Sequence, residues 1–384
     1  MKQPDTSALG ACGLTVAELC SPYSQRDSVL GLDITGQYRY PTPRPAWLDR
    51  LLEPILEPDL PIIDPHHHLW EQDGNPYLLD AFAADLASGH NVRATVFVQA
   101  HYGYRADGPE ILRPVGETEK IAAIARAAAA RGVPARIAEG IVGFADLTLG
   151  EAVAPVIEAH MAVADGRFRG VRHSVSRDPN FPGGIVLRPA PAGMLGERAY
   201  REGMARVAAL GLSYDAMLYH RQIPELTDAA RAVPELPIVL DHVGCVIGVG
   251  PYRGYERETF AAWRDDMAEL ARCPNVSVKI GGFGMIICGP TWHERDRPPG
   301  SSELTEAWRP QVEACIDLFG PDRCMFESNF PVDKAMYSYP VLWNAFKRLA
   351  ADATPTEKAA LFHDTAERFY RLGASVAVAG QVSA

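Results

Sequence analysis

The sequence predicts an α/β protein, a (β/α)8 TIM barrel with an N-terminal extension. From about residue 60 onward, short apolar and β-branched runs alternate with longer segments rich in Ala, Leu, Arg and Glu. This alternation is typical of parallel strands joined by crossover helices. Eight such units fit between residues 59 and 372, a length typical of an eightfold barrel. An open doubly wound sheet would usually carry a Gly-rich phosphate turn after its first strand, and histidines stand there instead.

The chain divides into three predicted parts. Residues 1–58 are rich in Pro, Gly and polar residues and are expected to form an arm that lies over the barrel. Residues 59–372 form the barrel, and residues 373–384 form a flexible tail. An arm of this kind can reach a neighbouring subunit, so a homo-oligomer is one expectation.

The strands and helices are predicted from their patterns of apolar residues. The strands, in chain order, are LPIID, VRATVFVQ, ARIAEGIVGFADL, FRGVRH, LSYDAMLY, LPIVLDH, NVSVKIG and RCMFESN. Two intervening segments, GETEKIAAIARAAAARG and RETFAAWRDDMAELARC, repeat apolar residues at spacings of three and four, as amphipathic helices do. Long segments after the fourth and seventh strands are expected to be substrate-enclosing loops.

Polar residues stand at the end of every predicted strand. In chain order they are His66 and His68, Gln99, Asp146, Arg172 and His173, Tyr219 and His220, Asp241 and His242, Lys279, and Asn329. Because the carboxyl ends of barrel strands converge on one face, where the active sites of this fold lie, the sequence predicts a single polar site. Tyr219 and His220 are adjacent, so only one of them is expected to face the barrel axis.

The stretch DPHHHLW contains three consecutive histidines. Strand side chains alternate between faces, so His66 and His68 point to one side and His67 to the other. Joined by His242 from the sixth strand, the first two would form a site for zinc or a similar divalent ion. His67 is expected to pack behind the barrel wall or to bond to the backbone.

Composition excludes several classes of partner. Lys and Arg number 37 against 48 Asp and Glu, and no basic run is present, so we expect no nucleic-acid partner. No apolar stretch approaches the roughly 20 residues of a spanning helix, so we expect no membrane insertion. The seven cysteines are scattered and lack a C-x-x-C pair, which favours reduced thiols and a cytoplasmic location.

The motif D-x-H-x-H-L-W, formed by Asp64, His66, His68, Leu69 and Trp70, resembles the first-strand signature of the amidohydrolase superfamily. Further motifs in matching order place the resemblance in the amidohydrolase-related (amidohydrolase 2) branch, which includes lactonases; they are GFADL, FRGVRH, QIPEL, IVLDHVG, NVSVKIGG and RCMFESNFP. The resemblance covers about residues 60–370 and implies a TIM-barrel hydrolase. It also implies His66, His68 and His242 as site histidines, with Arg172 and Lys279 as anchors for substrate carboxylate or carbonyl groups.

The last strand departs from the pattern that the resemblance implies. The family usually has Gly-Ser-Asp-Trp-Pro there, with the aspartate binding metal and taking a proton from water, whereas this chain has Asn329 at that position. An amide cannot take that proton at ordinary pH. We therefore hypothesise that Glu327, two residues earlier and on the same strand face, partly replaces the aspartate. Pairing of Glu327 with Lys279 is the structural alternative, and Asp241 and Asp333 are reserve bases.

The leading prediction is a hydrolase that opens a lactone or a related cyclic ester or carbonyl compound by attack of water. Its catalytic candidates are His66, His68, His242, Glu327 and Asn329, and its substrate-binding candidates are Trp70, Gln99, Arg172, His173, Tyr219, His220 and Lys279. The expected cofactor is a divalent metal, zinc first, with a metal-independent site left open, and the expected substrate is a carboxylate-bearing or aromatic-derived small molecule. A non-oxidative decarboxylase and a non-catalytic binding barrel are the alternatives.

Overall fold

The computed structural model describes residues 40–71, 75–181, 184 and 189–373. Within these ranges eight parallel strands form one sheet and pair in chain order. The strands are β1 (Pro61–His67), β2 (Asn91–Val98), β3 (Arg136–Gly143), β4 (Phe168–Val171), β5 (Ser213–Ala216), β6 (Ile238–Leu240), β7 (Val276–Ile280) and β8 (Cys324–Phe326). Just beyond β8, the Asn329 amide donates to the His66 carbonyl (2.9 Å) and the His68 amide to the Phe330 carbonyl (2.7 Å). These bonds close the sheet into the predicted barrel.

Helices connect the strands, and the described part of the chain contains none long and apolar enough to cross a membrane. They are α1 (Pro45–Leu48), α2 (Leu79–Leu86), α3 (Val115–Ala130), α4 (Ala154–Val163), α5 (Arg198–Ala209), α6 (Ile223–Ala232), α7 (Glu256–Ala271), α8 (Ser301–Phe319), α9 (Tyr339–Leu349), α10 (Pro355–Ala359) and α11 (Thr365–Tyr370). The two amphipathic segments singled out in the sequence correspond to α3 and α7. A larger apolar core packs these helices against the outside of the barrel.

The barrel interior is filled by side chains and is not a pore. Ile63, Val96, Val142, Val239 and Met325 form one buried cluster inside the strands, and Tyr370 and Leu372 from the end of α11 complete it. A ligand therefore cannot enter through this filled layer, which leaves the carboxyl ends of the strands as the face open to chemistry.

An extra residue in β1 sets the direction of the histidines. Asp64 pairs with Thr95 but His67 pairs with Phe97, so three steps along β1 face two along β2, as in a β-bulge. His67 consequently points outward, where its ring stacks on Phe82 with 4.1 Å between centroids. Its Nε2 lies 2.9 Å from the Thr95 hydroxyl, so His67 packs behind the wall as expected but bonds to a side chain.

The described part of the predicted arm, residues 40–58, lies against the barrel. The Leu56 amide donates to the side chain of Asn344 (2.9 Å), and Lys347 donates to the carbonyl of Glu57 (2.8 Å). The remainder of the predicted arm, residues 1–39, and residues 374–384 of the predicted tail lie outside the described residues.

Candidate active site

A polar cavity of about 80 Å³ opens at the carboxyl ends of the strands. The residues predicted from the sequence that line it are His68, Trp70, Gln99, Arg172, His242 and Asn329. They come from β1, β2, β4, β6 and the segment after β8, so the strand ends converge on one site as predicted. Ser174 after β4 and Met285 after β7 also line it, so both long loops contribute to its wall.

The three predicted histidines lie together. His66 Nε2 is 3.3 Å from His68 Nε2, and the rings of His66 and His242 are 4.5 Å apart between centroids. His68 Nδ1 is 2.8 Å from the Val98 carbonyl oxygen, which can only accept, so Nδ1 carries the proton and Nε2 has the free lone pair. Burial, and then the Lys279 ammonium, lower the pKa of His66 to about 4, which keeps this imidazole neutral near pH 7.

Glu327 lies behind two of these imidazoles. Its Oε1 accepts from His242 Nδ1 (2.7 Å) and from the His242 backbone amide (3.1 Å), and its Oε2 is 2.8 Å from His66 Nδ1. Burial alone would raise the pKa of Glu327, but the contacts with His242 and His66 lower it to about 2. A charged carboxylate therefore orients the His242 ring with its Nδ1 inward.

Lys279 occupies a different place from the one predicted. Its ammonium is fully buried, 2.7 Å from Asp215, 3.1 Å from Asp241 and 3.2 Å from His66 Nδ1. Burial would lower the pKa of Lys279, but Asp215 and Asp241 raise it. The described lining of the cavity does not include Lys279, so it is a counter-ion beneath the histidines and its predicted role as a substrate anchor does not fit. Lys279 therefore pairs with Asp215 and Asp241, and not with Glu327 as the structural alternative supposed.

Arg172 is the cation that reaches the cavity. Its Nη1 lies 3.3 Å from His66 Nε2 and 3.4 Å from Asp241 Oδ2, while Nη2 donates to the Gln99 carbonyl. The Gln99 side chain lines the same cavity, and its buried Oε1 has no hydrogen-bond partner among the described residues. A guanidinium and a primary amide thus stand next to the histidines.

Besides Lys279, three predicted substrate-binding residues are not in the described lining of the cavity. His173 faces away from its neighbour Arg172, accepts from the Leu147 amide (3.2 Å) and packs against Phe144. Tyr219 packs with Cys245 and Ile247 in an apolar cluster next to the cavity, and His220 accepts from the Ile247 amide (3.2 Å). Because β5 ends at Ala216, strand alternation does not extend to these two residues, and neither Tyr219 nor His220 faces the cavity.

The side chain of Asn329 is hydrogen-bonded to Asp333, which was predicted from the sequence only as a reserve base. The Asn329 amide nitrogen donates to Asp333 Oδ1 (2.9 Å), and Asp333 Oδ2 accepts from the Gly284 amide (2.8 Å). Burial raises the pKa of Asp333 to about 7. Because the amide nitrogen of Asn329 is bonded to Asp333, the amide oxygen is the atom of this side chain that can contact a ligand. Met217 and Tyr40, which also line the cavity, were missed, since Met217 is an apolar residue directly after β5 and Tyr40 belongs to no motif.

The donor set fits a divalent ion. Two ligands of a tetrahedral zinc at about 2.0–2.1 Å lie about 3.3–3.4 Å apart, which matches the His66–His68 nitrogen separation. His66, Asp241 and His242 form a second, overlapping group whose ligand atoms all lie within 4.8 Å of one another. The predicted metal site is therefore a candidate on geometry, with Asp241 as an additional carboxylate.

A closed (β/α)8 barrel with histidines and carboxylates at the carboxyl ends of its strands is the arrangement of a class of metal-dependent or related barrel hydrolases. The family model described as Amidohydrolase matches residues 63–372, and the chain belongs to this family. The prediction of an amidohydrolase-type hydrolase is confirmed at this level.

Individual relatives are similar over most of their length. The chain is 34% identical over 336 residues to the uncharacterized protein y4mH of Sinorhizobium fredii, covering 82% of this chain and 99% of that protein. It is 29% identical over 329 residues to L-fucono-1,5-lactonase of Burkholderia ambifaria, covering 81% and 95%. Among solved structures, an amidohydrolase of Burkholderia multivorans with bound zinc superposes with a TM-score of 0.62 at 25% identity, covering 81% and 99%.

Proposed function

We propose that the protein is a hydrolase that opens a lactone by attack of water on the carbonyl carbon, with His242 as the general base. The observation that carries this proposal is the 2.7 Å contact between Glu327 and His242 at the wall of the polar cavity. The relatives named lactonases support the choice of a cyclic ester.

His242 takes the place of the missing aspartate in this mechanism. Because Glu327 accepts the proton on Nδ1, the Nε2 of His242 has a free lone pair. A carboxylate that fixes the tautomer of a histidine is the arrangement that makes imidazole a general base. His242 Nε2 takes a proton from water as the new C–O bond forms, and gives it to the ring oxygen as the ester C–O bond breaks.

Arg172 stabilises the charge that develops during this attack. A guanidinium directed at a carbonyl oxygen that becomes negative lowers the barrier more than it would in water, because the site is largely buried. Arg172 is only 8% exposed and lines the cavity beside His242. The same group suits a substrate carboxylate, so a carboxylate-bearing lactone is the substrate class that we propose.

His66 and His68 would hold a zinc ion, which when bound supplies a Lewis acid for the carbonyl group. The usual third ligand is lost, since Asn329 stands where a carboxylate is expected, so we expect weak binding. A cytoplasmic location is part of the same proposal, because the cysteines at the described positions are free thiols.

We expect the purified protein to release acid from dihydrocoumarin and from a carboxylate-bearing lactone such as 5-oxotetrahydrofuran-2-carboxylate, as measured by pH-stat titration. The His242→Asn variant should lose this activity because it lacks the general base. The His363→Asn variant should keep it, since His363 pairs with Asp364 and lies outside the described cavity lining. Carbon dioxide release from aromatic acids without lactone turnover would contradict the proposal and favour the decarboxylase.

We expect zinc to be removed by dialysis against a chelator and to return when zinc is supplied. The His68→Asn variant should lower the zinc content measured by inductively coupled plasma mass spectrometry, while His293→Asn, which lies outside the described cavity lining and the candidate metal groups, should leave it unchanged. A zinc content that is equal in both variants would contradict the assignment of the His66–His68 pair.

A metal-independent mechanism is the second candidate, and one observation favours it. Arg172 Nη1 already lies 3.3 Å from the His66 nitrogen that would bind the ion. In that case the guanidinium alone polarises the carbonyl group. Full activity after removal of the metal would decide for this candidate.

A further inference from the structure

One wall of the polar cavity comes from outside the region that matches the family. Tyr40 lines the cavity, whereas the family match begins at residue 63. The ring is partly buried against an apolar cluster that includes Met217 and Met285, both of which also line the cavity. Residues of the arm therefore contribute directly to the surface that a ligand meets.

The segment after Tyr40 is fixed to the loop between β7 and α8. The Trp47 indole donates to the Arg295 carbonyl (2.8 Å), Arg50 donates to the Asp296 carbonyl (2.7 Å), and Arg44 donates to the His293 carbonyl. Trp47 is only 5% exposed. These three hydrogen bonds attach residues 44–50 of the arm to residues 293–296 of the loop.

A fourth bond anchors the far end of the same segment. The Ser301 amide, at the start of α8, donates to Glu53 Oε1 (2.7 Å), while Glu53 Oε2 accepts from Asn344 in α9 (3.1 Å). The loop that is held in this way also contains Met285, which belongs to the apolar cluster against which Tyr40 packs. The arm and the loop are thus one connected structure around the cavity mouth.

We propose that Tyr40 is a built-in wall of the substrate site, held in place by the bonds of residues 44–50 to the loop, and that Tyr40 selects ligands with an apolar or aromatic ring. The chemical basis is the combination of aromatic and thioether side chains, from Tyr40, Trp70, Met217 and Met285, with the Arg172 guanidinium in one cavity. This combination recognises a ring that bears a carboxylate, with the ring against the apolar wall and the carboxylate on Arg172. The ligand class rests on the proposed function, because a lactone with a second, aromatic ring, such as dihydrocoumarin, keeps that ring in the hydroxy carboxylate that hydrolysis releases.

The test measures binding of benzoate and acetate to the full-length chain by calorimetry, so it needs no turnover. Tyr40→Ala is compared with Leu52→Ala, a control in the same segment whose side chain is 82% exposed. We expect Tyr40→Ala to raise the benzoate Kd by roughly three- to tenfold, as for loss of one aromatic contact. Leu52→Ala should leave it unchanged, and acetate, which has no ring, should bind both variants and the unmodified protein equally.

Hydrogen–deuterium exchange tests the attachment of the arm independently of any ligand. In Trp47→Ala, the amides of residues 292–296 should exchange faster than in Leu52→Ala, because three bonds to this loop are weakened together. Unchanged exchange overturns the attachment. A benzoate Kd that is equal in Tyr40→Ala and the unmodified protein, or no benzoate binding by the unmodified protein, overturns the ligand assignment. Benzoate binding without hydrolysis of any lactone keeps this inference and removes the proposed function.

Discussion

Replacement of Glu327 by glutamine lowers kcat for lactone hydrolysis by roughly 10²–10⁴-fold, the usual contribution of a general base. Glu327 Oε1 lies 2.7 Å from His242 Nδ1 and also accepts from the His242 backbone amide. A glutamine that turns its NH2 group toward the ring favours the tautomer with the proton on Nε2, and that nitrogen can no longer take a proton from water. Initial rates of acid release measure the effect.

Two comparisons separate this orienting role from a loss of fold. Glu313→Gln changes an exposed residue paired with Arg309 and should keep full activity. Glu327→Asp keeps the charge and should recover part of the lost rate, with KM close to that of the unmodified enzyme. Because the pKa of Glu327 is lowered to about 2, its charge persists through the working pH range and should add no limb to the pH–rate profile. Unchanged kcat in a folded Glu327→Gln protein would remove His242 as the base.

The barrel and the histidine cluster were predictable because they follow from repeating patterns. Alternating strands and helices define eight strand ends, and these ends meet on one face whatever the detailed packing. The even spacing of His66 and His68 places both on one side even though a bulge shifts β1, because the shift affects both residues equally.

Roles that depend on partners distant in sequence were not predictable. Lys279 was expected to anchor substrate on the basis of the family resemblance, but two aspartates, Asp215 in β5 and Asp241 just after β6, surround it. The sequence shows these charges without showing that they are neighbours. Tyr40 is a similar case, since its place in the cavity wall depends on bonds between the arm and a loop about 250 residues later.

Strand alternation also predicted the direction of side chains poorly where a strand ends. Arg172 and His173 were both predicted to bind substrate, but Arg172 lines the cavity whereas His173, the next residue, packs outside against Phe144. Alternation predicted that one of Tyr219 and His220 faces the barrel axis, but neither lines the cavity, because β5 ends at Ala216 and the chain turns into a short 3-10 segment. Met217, the first residue beyond that strand, reaches the cavity instead. Alternation is therefore reliable only while the strand continues.

Replacement of Lys279 by methionine should lower the free energy of unfolding by about 3–5 kcal/mol, as expected when one partner of a buried charge pair is removed. The change leaves Asp215 and Asp241 without the ammonium that lies 2.7 Å and 3.1 Å from them. Urea unfolding at pH 8 measures the loss. Arg309→Met, which breaks an exposed ion pair with Glu313, is the matched control and should cost at most about 1 kcal/mol.

The loss in Lys279→Met should shrink as the pH falls toward about 4. Burial already raises the pKa of Asp215 to about 6, against the pull of Lys279, and removal of Lys279 raises it further. A carboxyl group with a raised pKa keeps its proton longer in the folded state, so the stability of the variant decreases as pH rises from about 4 through that pKa. In the unmodified protein Lys279 and His66 hold the pKa of Asp241 well below its usual range despite burial, so this aspartate stabilises the fold at higher pH. Addition of Asp215→Asn to Lys279→Met should restore part of the stability at pH 8. Equal stability of Lys279→Met and the unmodified protein at that pH would contradict the role of Lys279 as a buried counter-ion.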